Sequence, residues 1–169
     1  WIESKLGKGS SFYFDLSFKT SPERTQKDQV TDLAGLRVVV VSSVEMTIRA
    51  AQRLLVDTDM QLVAVCQNPK QATEYLNVSS ASPDILLIDM LPNRDAGFEL
   101  LHKLRSQMST KNIKLVAVSS DVKLSDDEKF RSAGFDGFLV TPLFLDEFTS
   151  TIRSATGRRS LPVEGSSPQ

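Results

Sequence analysis

The chain has 169 residues, which is enough for one domain of ordinary size with further segments at its ends. Apolar residues make up 40% and charged residues 24% of the sequence, as in a typical globular protein, and no apolar run is long enough to span a bilayer. The formal net charge of −1 gives no electrostatic basis for binding nucleic acid or an anionic membrane. The single cysteine, Cys66, excludes an internal disulfide and a cysteine-rich zinc site, and it favours a reducing, cytoplasmic compartment.

Segments at both ends differ in composition from the middle of the chain. Residues 1–18 start without an initiator methionine and lead from a glycine-lysine-glycine turn into an aromatic strand. Residues 19–34 are polar and charged and predict a linker, and residues 157–169, rich in serine, proline and glycine, predict a second flexible linker. We therefore expect an internal fragment of a longer protein, with one folded domain at residues 35–156.

The middle of the chain alternates between two patterns. Continuous runs of β-branched and other apolar residues are typical of strands buried on both faces of a parallel sheet, and the segments between them have apolar residues at helical spacing. In chain order, the pattern predicts strands at 37–41, 61–65, 84–89, 113–118 and 138–140, each followed by a helix, at 45–56, 69–76, 98–108, 125–133 and 145–152. The fold class is therefore α/β, with a five-stranded parallel sheet covered by helices on both sides.

Candidate functional residues lie where the predicted strands end. In an open parallel sheet, ligands bind outside the carboxyl ends of the strands. Those ends carry Ser42 and Ser43, Asp89, Ser119 and Ser120, and Thr141. Asp89 ends an otherwise apolar strand, and because a buried acid is costly unless it is paired or solvated, we expect it to project into an open cleft. The alternative is a carboxylate that only caps its loop or a neighbouring helix.

Two segments carry a resemblance to a known family. Residues 84–89, followed by Gly97-Phe98-Glu99-Leu100-Leu101, resemble the phospho-acceptor region of two-component receiver domains. Residues 133–142 resemble the segment that precedes the last helix of those domains, and the two motifs lie in the right order, each at a strand end. The resemblance spans about residues 36–155. It implies a flavodoxin-like (CheY-like), doubly wound sheet with strand order 2-1-3-4-5.

Residues 1–18 resemble another part of the same signalling proteins. The sequence WIES, then GKGSSFYF, is similar to the last glycine-rich box and final strand of a histidine-kinase ATP-binding domain, and its spacing is not that of a P-loop. This order of segments implies a hybrid sensor histidine kinase as the parent protein. We expect the fragment itself not to be an enzyme, because nearly all of the ATP-binding domain is missing. The single histidine, His102, is expected to be an exposed helix residue.

The family's functional positions can be read onto this sequence, and several have lost their charge. The acidic pair that holds Mg²⁺ falls on Ser42 and Ser43, the phospho-acceptor on Asp89, the hydroxyl on Ser119, the lysine on Thr141 and the switch aromatic on Phe138. We therefore expect no metal site and no cofactor, with Mg²⁺ involved only if the receiver is active. Glu45 either approaches a metal or is a solvated acid at a helix start, and Pro92 comes one residue earlier after the acceptor than in the family.

The favoured function is a non-catalytic pseudo-receiver that acts as a regulatory or docking module in two-component signal transduction. One alternative is a working receiver that accepts a phosphoryl group on Asp89 in a phosphorelay. A weaker alternative is a ligand sensor that uses the vacated acidic pocket for a nucleotide or another anion. The expected partners are the kinase and following domains of the parent chain, with a second copy of the chain as a further candidate, and not nucleic acid or a membrane.

A phenylalanine-rich segment near the last predicted strand is the candidate docking surface. It contains Phe130, Phe135, Phe138, Phe144 and Phe148. Because neighbouring positions on a helix point about 100° apart, the side chains of Phe144 and Leu145 cannot both face the core. We expect Phe144, with Phe138 beside it, to be exposed and to anchor a partner. The alternative is that both rings fill the core.

Overall fold

The computed structural model describes residues 1–17, 31–79, 82–91, 93–107, 110–122 and 128–158. Near the amino terminus, β1 (Ile2–Lys5) and β2 (Gly9–Phe12) form an antiparallel hairpin, with Ile2 opposite Phe12. The hairpin is a two-stranded sheet of its own and contributes no strand to the larger sheet. Its residues are exposed throughout, and the ring of Trp1 stacks on that of Tyr13. No helix in the described ranges is long and apolar enough to cross a membrane.

The remaining strands form one parallel sheet with helices between them. The strands are β3 (Arg37–Val41), β4 (Gln61–Cys66), β5 (Ile85–Asp89), β6 (Lys114–Ser119) and β7 (Gly137–Val140). The helices are α1 (Glu45–Asp57), α2 (Pro69–Val78), α3 (Arg94–Ser106), α4 (Glu128–Ala133) and α5 (Leu145–Thr156). The order in the sheet is β4-β3-β5-β6-β7. This order confirms the predicted fold class and the strand order 2-1-3-4-5.

The sheet is buried on both faces, which explains why its strands are apolar at successive positions rather than at alternate ones. In β3, Val38 and Val40 belong to one core cluster together with side chains of α1 and α5. Val39 and Val41 point the other way, into a second cluster with side chains of α2 and α3. Cys66, at the end of β4, is buried in this second cluster, and burial raises the pKa of its thiol.

A short segment before β3 packs on the five-stranded sheet and α5, which corrects the predicted boundary. Residues Thr31–Leu33 form a 3-10 helix, and Leu33 is fully buried in the core. The carboxylate of Asp32 accepts hydrogen bonds from Arg153 Nε at 2.9 Å and Nη2 at 3.1 Å, and this contact holds the pKa of the Asp32 carboxyl below its ordinary value. The predicted linker of residues 19–34 therefore ends too late, because the folded domain begins no later than Asp32.

Several details of the predicted elements can be compared with the structure. Gly134 has φ of 101°, in the left-handed region that favours glycine, and it directly follows the last residue of α4. His102 is exposed on α3, as expected. The predicted helix positions at Met108 and at 125–127, and the shifted turn at Pro92, lie outside the described residues.

Candidate functional site

The register of the parallel strands brings the predicted site residues together. Val41 of β3 pairs with Ile88 of β5, so that Ser42 and Asp89, the next residue of each strand, emerge side by side. In the same way, Asp89 pairs with Val118 of β6, which places Ser119 next to the acceptor position. The site thus follows from the alignment of strand ends, as the general rule for parallel sheets predicts.

Asp89 is half-buried and uses both carboxylate oxygens. Its Oδ2 accepts a hydrogen bond from Ser42 Oγ at 2.7 Å, and its Oδ1 accepts one from the backbone N–H of Leu91 at 3.0 Å. Ser42 is buried, and its Oγ in turn accepts from the backbone N–H of Val44 at 3.0 Å. The carboxylate therefore projects into the cleft, as expected, and it also caps its own loop.

The other predicted residues surround this pair with different degrees of exposure. Ser43 is exposed, whereas Ser119 is buried and its Oγ accepts from the backbone N–H of Asp121 at 3.1 Å. The backbone N–H of Thr141 donates to the carbonyl of Ser119 at 2.9 Å, and the bond from Thr141 to Pro142 is cis. All the sequence-predicted strand-end residues thus lie at one end of the sheet.

Two clefts meet at Asp89. The smaller, of about 290 Å³, lies on the side of β4 and is lined by Ser42, Ser43 and Asn68 among others. The larger, of about 470 Å³, lies between α1 and the segment after β7 and includes Thr141. Asp89 and Leu91 line both clefts, so the carboxylate stands at the boundary between them.

Few charged side chains line this site. Among the described residues that line the two clefts, Asp89 is the only charged one. Glu45 does not join it, because its carboxylate pairs with Arg49 Nε at 2.7 Å on the exposed face of α1. This contact favours the interpretation of Glu45 as a solvated acid at a helix start.

The residues present do not fit Mg²⁺, the ion that the family uses at this position. Mg²⁺ is a hard cation and is usually held by one or two carboxylates together with substrate oxygens and water. Here one carboxylate stands among neutral hydroxyls, where the resemblance implies an acidic pair beside the acceptor, and within the described ranges no group of three histidine, cysteine or acidic residues is placed to hold a metal.

The aromatic residues after α4 divide into buried and exposed ones. Phe138 is partly buried and packs edge-on against Phe130, with ring centroids 5.1 Å apart, so its expected exposure is wrong. Phe148 is fully buried in the core. Phe144, which immediately precedes α5, is 63% exposed, in agreement with the exposure predicted for it.

Sequence reasoning missed the apolar side chains around the larger cleft. Val44, Met46 and Leu91 are exposed although they are apolar, and Pro142 and Leu143 complete the wall. The available signal was the run Val44-Glu45-Met46 directly after the serines, which has apolar residues on both sides of the helix-start acid. The sequence alone does not show that this run lines a cleft, because only the fold places this turn opposite the segment after β7.

The fold and the strand-end site together define a CheY-like α/β signalling domain. Residues 38–153 match the model of the response regulator receiver domain family. The chain therefore belongs to this family, and its domain is a receiver domain of two-component signalling.

Known proteins similar to this chain include sensor kinases. It is 26% identical to the sensor histidine kinase AruS of Pseudomonas aeruginosa over 148 residues, which are 86% of this chain and 14% of that protein. It is 27% identical to hybrid signal transduction histidine kinase D of Dictyostelium discoideum over 125 residues, which are 71% of this chain and 8% of that protein. The chain thus spans only a small part of the curated kinases that it matches.

Solved receiver structures share the fold. One is the receiver domain of a sensor histidine kinase from Pseudomonas aeruginosa PAO1, described with a magnesium ion coordinated in its active site cleft. It matches with a TM-score of 0.62 and 17% identity, over 73% of this chain and 99% of that chain. Chemotaxis response regulator CheY4 of Vibrio cholerae matches with a TM-score of 0.61 and 16% identity, over 72% of this chain and 99% of the other.

Proposed function

We propose that this receiver domain is a pseudo-receiver: a regulatory and docking module that does not take up a phosphoryl group. The observation that carries the proposal is the hydrogen bond from Ser42 to Asp89, since it places a neutral hydroxyl where the family resemblance implies a metal-binding acid. Phosphoryl transfer to a carboxylate depends on neutralising the charge on the phosphoryl oxygens. The cleft lining at Asp89 supplies no cation for that purpose among its described residues.

The size of the electrostatic deficit supports the same proposal. Two unit charges about 4 Å apart at an effective dielectric near 20 interact by about 4 kcal/mol, and a divalent ion doubles the effect for each carboxylate. Serine at both acidic positions removes this favourable ion–carboxylate interaction twice. Hydration of the ion compensates for only part of the lost interaction energy. Thr141, at the position implied for the lysine, adds no ammonium to stabilise an acyl phosphate.

We expect Asp89 to remain unphosphorylated when the chain is incubated with acetyl phosphate and Mg²⁺. Intact-mass spectrometry should show no added phosphoryl group, and beryllofluoride should cause no NMR shifts at the amides of Leu91 and Thr141. The matched variant Ser42→Asp/Ser43→Asp/Thr141→Lys restores the missing charges and should gain Mg²⁺ binding. A stoichiometric adduct on the unchanged chain, lost in Asp89→Asn, would instead establish the phospho-accepting receiver.

We also propose that the parent protein is a hybrid histidine kinase, with the kinase's ATP-binding domain immediately before this receiver. The support is the order of the two resemblances along the chain and the kinases among its relatives. The hairpin of β1 and β2 fits a piece of a larger sheet domain, because Phe12 and Phe14 are 70% and 76% exposed. In such a parent the receiver would lie in the cytoplasm, and its partners would be the flanking domains and a second copy of the chain.

The Phe144 ring is the proposed anchor for these partners. Phe144→Ala should change the free energy of unfolding by less than about 0.5 kcal/mol, because the exposed ring contributes little to the core and its backbone carbonyl still accepts from Phe148 N–H. In the full-length parent, the same change should weaken docking, measured as self-association by light scattering and as autokinase rate.

A suitable control is Val78→Ala, which truncates another exposed apolar residue, on α2. It should leave stability, self-association and autokinase rate unchanged. If Phe144→Ala instead lowers stability by several kcal/mol, the ring belongs to the core and is no docking residue. If both variants leave docking untouched, another surface carries the contact.

A further inference from the structure

The larger cleft beside Asp89 combines apolar walls with a single carboxylate. Its walls are formed by Val44, Met46, Ala50, Leu91, Pro142 and Leu143. Hydroxyl groups of Thr47, Ser120 and Thr141 lie among them. A volume of about 470 Å³ falls within the range of small-molecule sites, and such sites are mostly apolar with a few polar groups that fix orientation.

The polar groups of this cleft favour a positive ligand. The Asp89 carboxylate is the single charged group in the lining that the structure describes, and neither lysine nor arginine is part of it. An anion would therefore meet repulsion from Asp89 that no cationic side chain of the described lining offsets. The backbone N–H of Val44, at the start of α1, is already donated to Ser42 Oγ. These contacts count against the nucleotide or other anion that the sequence left open as a ligand.

A metal ion also fits the cleft poorly, for reasons of ligand chemistry. The walls that face Asp89 are apolar carbons and neutral hydroxyls, whereas Mg²⁺ requires several oxygen ligands at close range. An ammonium group needs only one close carboxylate and can complete its hydrogen bonds with hydroxyl oxygens. The Thr141 and Ser120 side chains lie in the same lining and are suited to that role.

We propose that this cleft binds a small organic cation, a primary amine on an apolar body. The ammonium lies against the Asp89 carboxylate, and the apolar body packs against Met46 and Leu143. Met46 is 76% exposed in the free domain, and covering such apolar surface favours binding. Binding of a ligand in this cleft is independent of partner docking through Phe144, since Phe144 is not part of this lining.

The test uses three probes of similar shape and different charge on the 169-residue chain. Phenethylamine, 2-phenylethanol and 3-phenylpropanoate are titrated separately, and binding is followed by ¹H–¹⁵N NMR at the amides of Leu91, Ser120 and Thr141. We expect saturable shifts with the amine, binding weaker by about tenfold or more with the alcohol, and no binding of the carboxylate. Equal binding of all three probes, or no saturable shifts with the amine, would overturn the proposal.

Two variants test whether binding of the amine depends on the Asp89 carboxylate. Asp89→Asn keeps the shape and an acceptor oxygen but removes the charge, so the amine should bind no better than the alcohol. Thr141→Lys places an ammonium of the chain itself in the cleft and should prevent binding of the amine. The control Asp59→Asn makes the same chemical change at an exposed residue between α1 and β4, outside the cleft, and should bind like the unchanged chain. Undiminished amine binding by Asp89→Asn would refute the assignment.

Discussion

Replacing Leu33 with alanine should lower the free energy of unfolding by about 2–5 kcal/mol, the range found when a fully buried leucine is truncated. Leu33 is completely buried and belongs to the core cluster that also contains Phe148 and Ile152 of α5. The loss has two parts, the transfer free energy of the removed carbons and the cost of the cavity that remains. Unfolding in urea, followed by circular dichroism, measures the change as a shift of the midpoint at constant slope.

The control for this prediction is Leu62→Ala in the edge strand β4, where the side chain is 36% exposed. Its expected cost is about 1 kcal/mol, since less surface is returned to water and less cavity forms. A change at Leu33 no larger than at Leu62 would show that the packing of the segment before residue 35 contributes little to the stability of the receiver domain. The larger loss is the result expected of a segment that belongs to the core.

Replacing Asp136 with alanine should cost about 2–4 kcal/mol of stability, because its carboxylate joins three elements. Asp136 precedes β7, and its Oδ2 accepts from the backbone N–H of Leu115 at 2.8 Å and from the guanidinium of Arg105 in α3. Its Oδ1 accepts from Lys114 Nζ at 3.2 Å. The Asp136 side chain is 21% exposed, so solvent weakens the ion pairs only in part. Arg105 keeps carbonyl partners in the variant, which limits the loss.

Two further variants separate charge from hydrogen bonding. Asp136→Asn keeps an acceptor for Leu115 N–H and should cost about half as much as the alanine variant. Asp57→Ala removes the partner of Arg53 in an exposed pair on α1, and it should change stability by less than about 0.5 kcal/mol. Thermal or chemical unfolding of the three variants in parallel gives the comparison. A cost at Asp136 no greater than at Asp57 would show that the cluster contributes little to the fold.

The fold was predictable because its determinants are short-range patterns. Runs such as 38–41 and 85–88 are apolar at every position, which predicts strands buried on both faces, and a parallel sheet then places their ends together. The proximity of Ser42 and Asp89 could therefore be predicted from the alignment of the strand ends, without any knowledge of side-chain contacts. The hydrogen bond between them is a direct result of the register of β3 and β5.

Features that depend on contacts between distant parts of the chain were not predictable. Leu33 lies in a polar stretch and is buried in a core cluster that includes side chains of α5, more than a hundred residues later. Asp136 belongs to a recognisable motif, but its role depends on Arg105 from another helix. The exposure of Phe138 was predicted wrongly because local spacing does not reveal the ring of Phe130 that packs against it.

The contact between Asp32 and α5 brings the two ends of the receiver domain to one place. Arg153, in the last turn of α5, pairs with the Asp32 carboxylate, and Arg158, just beyond that helix, donates a hydrogen bond to the Asp32 backbone carbonyl. A domain whose ends meet can be inserted into a longer chain, or deleted from it, while the flanking segments stay the same distance apart. In evolution, such a receiver domain can therefore lose its chemistry or be exchanged without disturbing the assembly of its neighbours.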